Sequence, residues 1–175
     1  MKKNILIITF ICTVSIYSQE NKKVVLNKNE LKLNIASTLG GFPEITFEKS
    51  LNNETSFGIS LGFSLQSNSK DEENSNYNFS IIPYYRVYFD EKPNTGFFIE
   101  GNAAIYSQNP IEGDFFNNEK DGGIGFGLGF SLGKKYTTKG GWIGEFSFGL
   151  TRTFINSDKL NLYYPRAAII IGKLF

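Results

Sequence analysis

The chain has 175 residues, which suits a single domain, and its 18 Lys and Arg residues nearly balance 17 Asp and Glu residues. It has no histidine, so the commonest general base and metal ligand is missing. It has one cysteine, which leaves a single residue for thiolate chemistry. There is no basic excess to neutralise phosphates, which argues against a nucleic-acid-binding protein.

The first eighteen residues have the pattern of a secretory signal. Lys2 and Lys3 precede an apolar run over 5–16, and the small residue Ser18 stands before a polar stretch. An apolar run of about a dozen residues is too short to span a bilayer as a helix. Cleavage after Ser18 would leave 16 basic against 17 acidic residues, a net charge of −1. The sequence therefore predicts a signal peptide (1–18), a short N-terminal periplasmic segment (19–28) and one β domain (29–175).

Cys12 allows one alternative, a lipoprotein signal. Such signals place a small residue just before the cysteine, whereas Ile11 stands there and apolar residues continue through Val14 and Ile16. We therefore favour the ordinary signal peptide. Its removal would leave a mature chain without cysteine and hence without a disulfide.

Apolar and small or polar residues alternate along almost the whole of the predicted mature chain. Over 55–65 the odd positions are almost all apolar and the even positions are Gly or Ser, and the pattern recurs over 124–132. Alternate residues of a strand point to opposite faces of a sheet, so each run predicts one apolar and one small or polar face. The remaining six runs with this alternation are 29–38, 42–51, 76–89, 96–106, 142–154 and 163–175. Eight such runs, without a convincing helical stripe, predict an all-β protein.

The polar face indicates which side of the sheet meets the surroundings. It carries charged residues in the middle of strands and rows of bare glycine, while most lysines stand in or beside predicted turns, as at Lys70, Lys92 and Lys134–Lys135. A solvated outer face would be rich in lysine and poor in glycine. The pattern therefore favours an apolar face turned to lipid and a polar interior. Tyr residues near the ends of runs agree with the aromatic girdles of a membrane barrel.

The predicted connections support the same arrangement. With a periplasmic N-terminus, the turns near 51–54, 90–95 and 134–140 lie inside. The outer connections are then 39–43, 67–75, 107–121 and 155–162, and all but the first are longer than their periplasmic counterparts. We predict an eight-stranded antiparallel transmembrane up-and-down β-barrel.

The eight runs and the last segment, Tyr163–Phe175, carry a resemblance to a known family. Over roughly 29–175 the chain resembles the small outer-membrane β-barrel proteins of the outer-membrane-protein-A-like or X-like fold, in particular their uncharacterised branch. The resemblance implies a location in the outer membrane of a Gram-negative bacterium, in contact with lipid and lipopolysaccharide. It also implies that Phe175, the terminal aromatic residue, is the signal read by the barrel-assembly machinery. Lys173 departs from the every-other-residue apolar spacing of such signals.

No catalytic, cofactor-binding or metal site emerges from the sequence, and we expect no enzyme. The glycine run 122–129 lacks the spacing and the following helix of a phosphate-binding loop. We expect its glycines to leave room for large side chains from the opposite wall. Oxygen-rich loops at 67–75 and 107–121 have the ligand type for divalent cations but no EF-hand spacing, and we expect solvated loops.

The interior charges are the best candidate site. By parity, five of them share the lumen: Glu48, Arg86, Glu100, Glu145 and Arg166. An eight-stranded barrel is only wide enough for its side chains to fill it, and buried charges must pair. We expect a salt-bridged plug, with a lining for a narrow ion path as the alternative.

These observations lead to one main expectation and two alternatives. The main expectation is an outer-membrane barrel with a structural or surface-interaction role through its extracellular loops. The first alternative is a narrow porin-like channel for ions or small solutes. The second is a soluble, lipocalin-like periplasmic barrel that binds an apolar ligand with the Phe and Ile face turned inward. The sequence names no extracellular partner.

Overall fold

The structure, a computed structural model, describes residues 28–65, 76–111 and 119–175. These residues form eight β-strands and one short helix, α1 (Ile35–Leu39). The strands are β1 (Asn29–Asn34), β2 (Glu44–Ser50), β3 (Thr55–Phe63), β4 (Tyr77–Tyr88), β5 (Gly96–Gln108), β6 (Gly123–Thr137), β7 (Trp142–Ile155) and β8 (Tyr163–Leu174). The predicted signal peptide, nearly all of segment 19–28, the whole of loop 67–75 and the middle of loop 107–121 lie outside the described residues.

The eight strands close into one barrel. Each strand pairs antiparallel with the next along the chain, and β8 returns to pair with β1. This confirms the predicted all-β, eight-stranded up-and-down fold. Both ends of the barrel domain meet at one end of the barrel, where Asn29 and Phe175 exchange backbone hydrogen bonds of 3.1 and 2.9 Å. We call this the turn end; the opposite end, with connections 35–43, 64–76, 109–122 and 156–162, is the loop end.

Alternation decides which side chains enter the barrel. In β2 the polar residues of the sequence Glu-Ile-Thr-Phe-Glu-Lys-Ser are buried at every second position, and Ile45 and Phe47 between them are exposed. The same reversal of the usual soluble pattern continues around the barrel. Its outer surface is a belt of large apolar side chains, among them Leu31, Phe57, Leu61, Ile99, Leu128, Phe130, Phe146, Phe148, Leu150 and Ile169.

The first strand is shorter than the predicted run 29–38. β1 ends at Asn34, whose side-chain Oδ1 accepts a hydrogen bond from Ser37 N and so caps α1. Thr38 Oγ1 donates to the carbonyl of Asn34 at 2.6 Å, and Gly40 follows the helix. Asparagine before and glycine after a short segment are helix-capping signals. Here they outweigh the alternation, whose next apolar position, 37, is occupied by Ser37.

The sixth strand is longer than the predicted run 124–132, because it continues to Thr137. The prediction that Lys135 belongs to a turn is therefore wrong. Lys135 pairs with Gly96 on one side and Glu145 on the other and points into the barrel, where it is fully buried. The polar face thus contains more lysine than the sequence pattern indicated.

The tyrosines divide between the two faces of the wall. Tyr85, Tyr136 and Tyr163 are exposed on the outside, as an aromatic girdle requires. Tyr84 and Tyr106, by contrast, are buried inside, so position near a strand end does not by itself place a tyrosine in the girdle. Their parity matches that of the charged interior residues.

An apolar cluster lies inside the barrel near its loop end. Its members are Ile82, Ala104, Tyr106, Leu160 and Tyr164, with Tyr77 packed against them. The ring of Tyr106 stacks on that of Tyr164 with centroids 4.7 Å apart. No helix among the described residues is long and apolar enough to cross a membrane.

Candidate functional site: the charged interior of the barrel

The interior below the apolar cluster is filled by a network of ion pairs. Each charged side chain lies at an inward position of its strand, so the barrel brings together residues that are far apart in sequence. Five carboxylates face four cations in the described interior. These are Glu30, Glu44, Glu48, Glu100 and Glu145 with Lys32, Arg86, Lys135 and Arg166. We call this set the interior ion network.

Glu48 lies at its centre and is completely buried. Its Oε2 accepts hydrogen bonds from Lys32 Nζ at 2.7 Å and Tyr84 Oη at 2.6 Å. Its Oε1 accepts from Tyr88 Oη at 2.7 Å and Lys135 Nζ at 3.1 Å. A buried carboxylate is tolerated when it is paired and its lone pairs are occupied, as they are here.

Arg86 joins Glu48 to the carboxylates of two further strands. Its Nη1 donates to Glu48 Oε2 at 3.1 Å and its Nε to Glu100 Oε2 at 2.8 Å. Its two terminal nitrogens approach the carboxylate of Glu145, Nη1 at 2.9 Å and Nη2 at 2.7 Å. The planar guanidinium is suited to such multiple pairing because its donors form a fixed fork.

Two aromatic rings contact the guanidinium of Arg86. The carbon Cζ lies 4.1 Å from the ring centre of Phe98 and 4.5 Å from that of Tyr84. Both rings are buried in the lumen. Cation–π contacts of this kind are stronger away from water, so the rings fix Arg86 as well as seal the space around it.

A second branch leads from Glu100 toward the loop end. Glu100 Oε1 accepts from Arg166 Nη1 at 2.6 Å and from Asn102 Nδ2 at 3.2 Å. Asn102 Oδ1 in turn accepts from Thr151 Oγ1 at 2.9 Å. Arg166 Nη2 also faces Glu44, at the longer distance of 3.7 Å. The ion network therefore runs along most of the barrel axis.

The structure brings together all five residues that the sequence analysis selected. Glu48, Arg86, Glu100 and Glu145 form direct pairs, and Arg166 joins them through Glu100. Phe175, the predicted assembly signal, lies at the turn end with an exposed side chain. Its role in assembly stays a prediction.

The sequence analysis did not select four members of the ion network, which are Lys32, Lys135, Glu30 and Glu44. It also missed the two tyrosines that donate to Glu48, Tyr84 and Tyr88. Lys32 stands between Leu31 and Leu33, so strict use of parity would have placed it inside. Glu30 follows from the same parity, because it precedes Lys32 by two positions. To place Lys135 inside the barrel, one must know that β6 continues to Thr137, which alternation alone did not predict.

The inner glycines provide space for the network, but differently from the prediction. Within the run 122–129, a Cβ at Gly125 would meet the ring of Tyr106, which pairs with it across the adjacent strand β5. Likewise, a Cβ at Gly58 would meet the ring of its cross-strand partner Tyr84, and one at Gly133 that of its partner Phe98. The large side chains therefore come from neighbouring strands rather than from the opposite wall, because a tilted strand leans its inward side chains over its partner.

The described interior has the chemical character of a buried network of paired charges. The side chains of Lys32, Glu48 and Lys135 are all without solvent exposure. Within the described residues, no group of three or more acidic, cysteine or histidine residues is arranged to hold a metal ion. The network pairs charges and shows no carboxylate placed beside a cavity large enough for a polymeric substrate.

Comparison with known proteins identifies a family. The model of the family described as "Protein of unknown function (DUF3575)" matches residues 5–168, which is most of the chain. No curated protein matches the sequence, and no solved structure matches it.

Proposed function

The chain belongs to the family DUF3575, proteins of unknown function, and from its geometry we propose that it is an integral outer-membrane barrel with a structural or surface-interaction role. The observation that carries the proposal is the reversed distribution of polarity. Large apolar side chains such as Phe57, Phe130 and Phe148 face outward, while Glu48 and Arg86 are buried inside. A soluble protein rarely exposes apolar patches of this extent, whereas lipid is their natural surrounding.

The ends of the barrel support the same proposal. Trp142 and Lys173 lie on the outer surface at the turn end, with Lys173 Nζ 5.0 Å from the ring of Trp142. Lys173 Nζ also donates to the carbonyl of Gly140 at 2.5 Å. Membrane interfaces are typically rich in indole rings. They also contain lysines whose aliphatic stem lies along the apolar wall while the ammonium group reaches its polar edge. The resemblance to outer-membrane-protein-A-like and X-like barrels supports this location.

A plugged lumen favours function at the surface. Because the ion network and the apolar cluster occupy the centre of the described interior, we assign contact with macromolecular partners to the loops and the outer wall. The second alternative, a lipocalin-like barrel that binds an apolar ligand, required the Phe and Ile face to line the interior. That face lies outside, which removes its basis.

One observation favours a narrow ion path as the second candidate function. The ion network is continuous along the axis from Lys135 through Glu48, Arg86 and Glu100 to Arg166. Exchange of pairing partners among such charges would open a path. Conduction by the purified protein in planar bilayers, altered in an Arg86→Met variant, would support this candidate over a permanent plug.

The proposal is tested first by locating the protein. We expect it in the outer-membrane fraction of expressing cells, in a band that migrates differently on a detergent gel before and after boiling. Recovery in the soluble periplasmic fraction, without such a shift, would contradict it.

A pair of variants tests contact with lipid directly. Phe130 lies exposed near the middle of β6, and Phe154 lies exposed near the loop end of β7. In a membrane, Phe130→Arg should lower the free energy of unfolding by about 2–4 kcal/mol and Phe154→Arg by about 1 kcal/mol or less, because the cost depends on depth. In a soluble barrel both changes would be nearly neutral. Equal, small effects would therefore count against the membrane.

A further inference from the structure

The wall of the barrel has a seam between β1 and β8 at the loop end. β1 stops at Asn34, opposite Ile170, whereas β8 begins at Tyr163 and pairs with β7 over residues 163–173. No described strand pairs with the other edge of residues 163–169. The chain turns aside into α1 at this point, and α1 packs against β8.

Asn34 partly bridges the seam with its side chain. Its Nδ2 donates to the carbonyl of Ala167 at 3.4 Å, and its Oδ1 accepts from Ile169 N at 3.3 Å. The backbone groups of Ala167 and Ile169 therefore point to the seam, and alternation directs those of Pro165 the same way. Proline has no N–H to leave unpaired, so its presence at this open edge is physically consistent.

A cavity of about 160 Å³ lies at the seam. Its lining includes Arg166, from the inner face of β8, and Pro165 and Ala167, from the outer face. Residues 163–169 form the unpaired edge of β8, so the cavity lies along this open edge, between the barrel interior and the outer side of the wall.

The inner part of the cavity holds an incompletely neutralised carboxylate. The side chain of Glu44 is only 7% exposed, and its nearest cation is Arg166 Nη2 at 3.7 Å, beyond hydrogen-bond distance. Arg166 is already engaged by Glu100 at 2.6 Å. Buried charges are costly unless they are paired and hydrogen-bonded. Glu44 thus has room for a cationic donor.

Aromatic rings surround the same space. Phe42, Tyr77 and Tyr164 all line the cavity, and the rings of Tyr77 and Tyr164 lie edge to face with centroids 4.7 Å apart. A carboxylate combined with aromatic faces is the chemistry that recognises ammonium groups. A cavity of this volume accommodates a group of about benzene size, which fits a head group but not a whole lipid.

We propose that this seam cavity binds the ammonium head of an amphiphile from the surrounding membrane. The ammonium group pairs with Glu44 among the aromatic rings, and the alkyl chain leaves past Pro165 and Ala167 into lipid. The exposed side chains of Ile35 and Leu39 on α1 extend the apolar surface beside the exit. This inference rests on the proposed membrane location.

Spin-labelled lipid probes test the inference. The protein is folded into phosphatidylglycerol vesicles, which contain no amine, and receives either spin-labelled stearylamine or stearic acid labelled at the same chain position. We expect a motionally restricted fraction that is selective for the amine. Loss of one charge-assisted hydrogen bond in Glu44→Gln should reduce the relative affinity about tenfold.

Two further variants keep the result interpretable. Glu91→Gln, at an exposed position of the turn end, should keep the selectivity for the amine. Ser37→Leu, which adds a larger side chain to the cavity lining and leaves Glu44 itself unchanged, should abolish it. Equal restriction of amine and acid, or undiminished selectivity in Glu44→Gln, would overturn the inference. Displacement of the probe by millimolar soluble ethanolamine would overturn the assignment to an amphiphile.

The boiling shift on a detergent gel is recorded for every sample. A wild-type protein that fails to insert into vesicles contradicts the proposed function itself. A protein that inserts, shows the shift and lacks amine selectivity contradicts only the seam site.

Discussion

Replacing Arg86 by methionine removes the cation that joins three carboxylates. Arg86 contacts Glu48, Glu100 and Glu145 at 2.7–3.1 Å within a completely buried cluster. Breaking a buried ion pair by removing one partner costs about 3–5 kcal/mol, because a charge is left without compensation. Methionine retains much of the apolar volume between the Phe98 and Tyr84 rings, so the change acts mainly on charge.

The remaining cations set the expected magnitude. Without Arg86, Glu145 still has Lys32 at 3.0 Å and Glu100 still has Arg166 at 2.6 Å. No carboxylate of the trio is left entirely alone, which places the expected loss at the lower end, about 3 kcal/mol in the free energy of unfolding.

The assay is a urea titration of the protein in lipid vesicles, followed by the fluorescence of Trp142, the single tryptophan of the chain. Arg152→Met serves as the matched control, because Arg152 is exposed on the outer face of β7. A double variant, Arg86→Met with Glu145→Gln, should recover about 1–2 kcal/mol by removing one uncompensated carboxylate. If Arg86→Met stayed within about 0.5 kcal/mol of the wild type, as surface substitutions do, the plug would not be a structural element and our reasoning would be refuted.

Two other predictions concern a glycine and the terminal residue. Gly58→Ala should lower the free energy of unfolding by about 1–3 kcal/mol, because the new Cβ meets the ring of Tyr84. Gly144→Ala should be neutral, because nothing lies within 4 Å of its Cβ. Chemical denaturation in vesicles measures both variants, and equal effects would contradict the packing argument. Phe175→Ser should reduce the amount of heat-shifting barrel assembled in cells but leave unassisted folding into vesicles nearly unchanged, since the Phe175 side chain is exposed. A parallel loss in both settings would show that Phe175 acts through stability instead of through the assembly machinery.

Alternation was sufficient to predict the strands and the inner face, because a period of two is a direct consequence of strand geometry. The ends of elements were harder. The alternation through Leu31 and Leu33 gave no warning that Asn34 would cap a helix, although Gly40 offered a signal. The charge of Lys135 led us to predict a turn there. The local sequence does not show that its partners, Glu30 and Glu48, lie on distant strands that face it inside the barrel.

The candidate site shows the same division between local and distant information. Parity placed Glu48 and Arg86 on the inner face, but the register across the barrel decides which charges touch. The seam cavity exists because β1 stops short of the loop end, whereas β8 reaches it. The alternation pattern of the sequence does not predict this difference in length. Features that arise from the closure of the sheet are therefore read from the structure alone.

The membrane location is the central claim, and the depth of Trp142 tests it most directly. Trp142 is more than half exposed at the turn end of β7, so its fluorescence reports on the outer wall without any engineered label. In vesicles made with lipids brominated at different depths, we predict strong quenching, greatest for bromines near the head groups. Fluorescence that responds to aqueous iodide and to none of the brominated lipids would mean that the apolar belt does not face lipid, and would contradict the account.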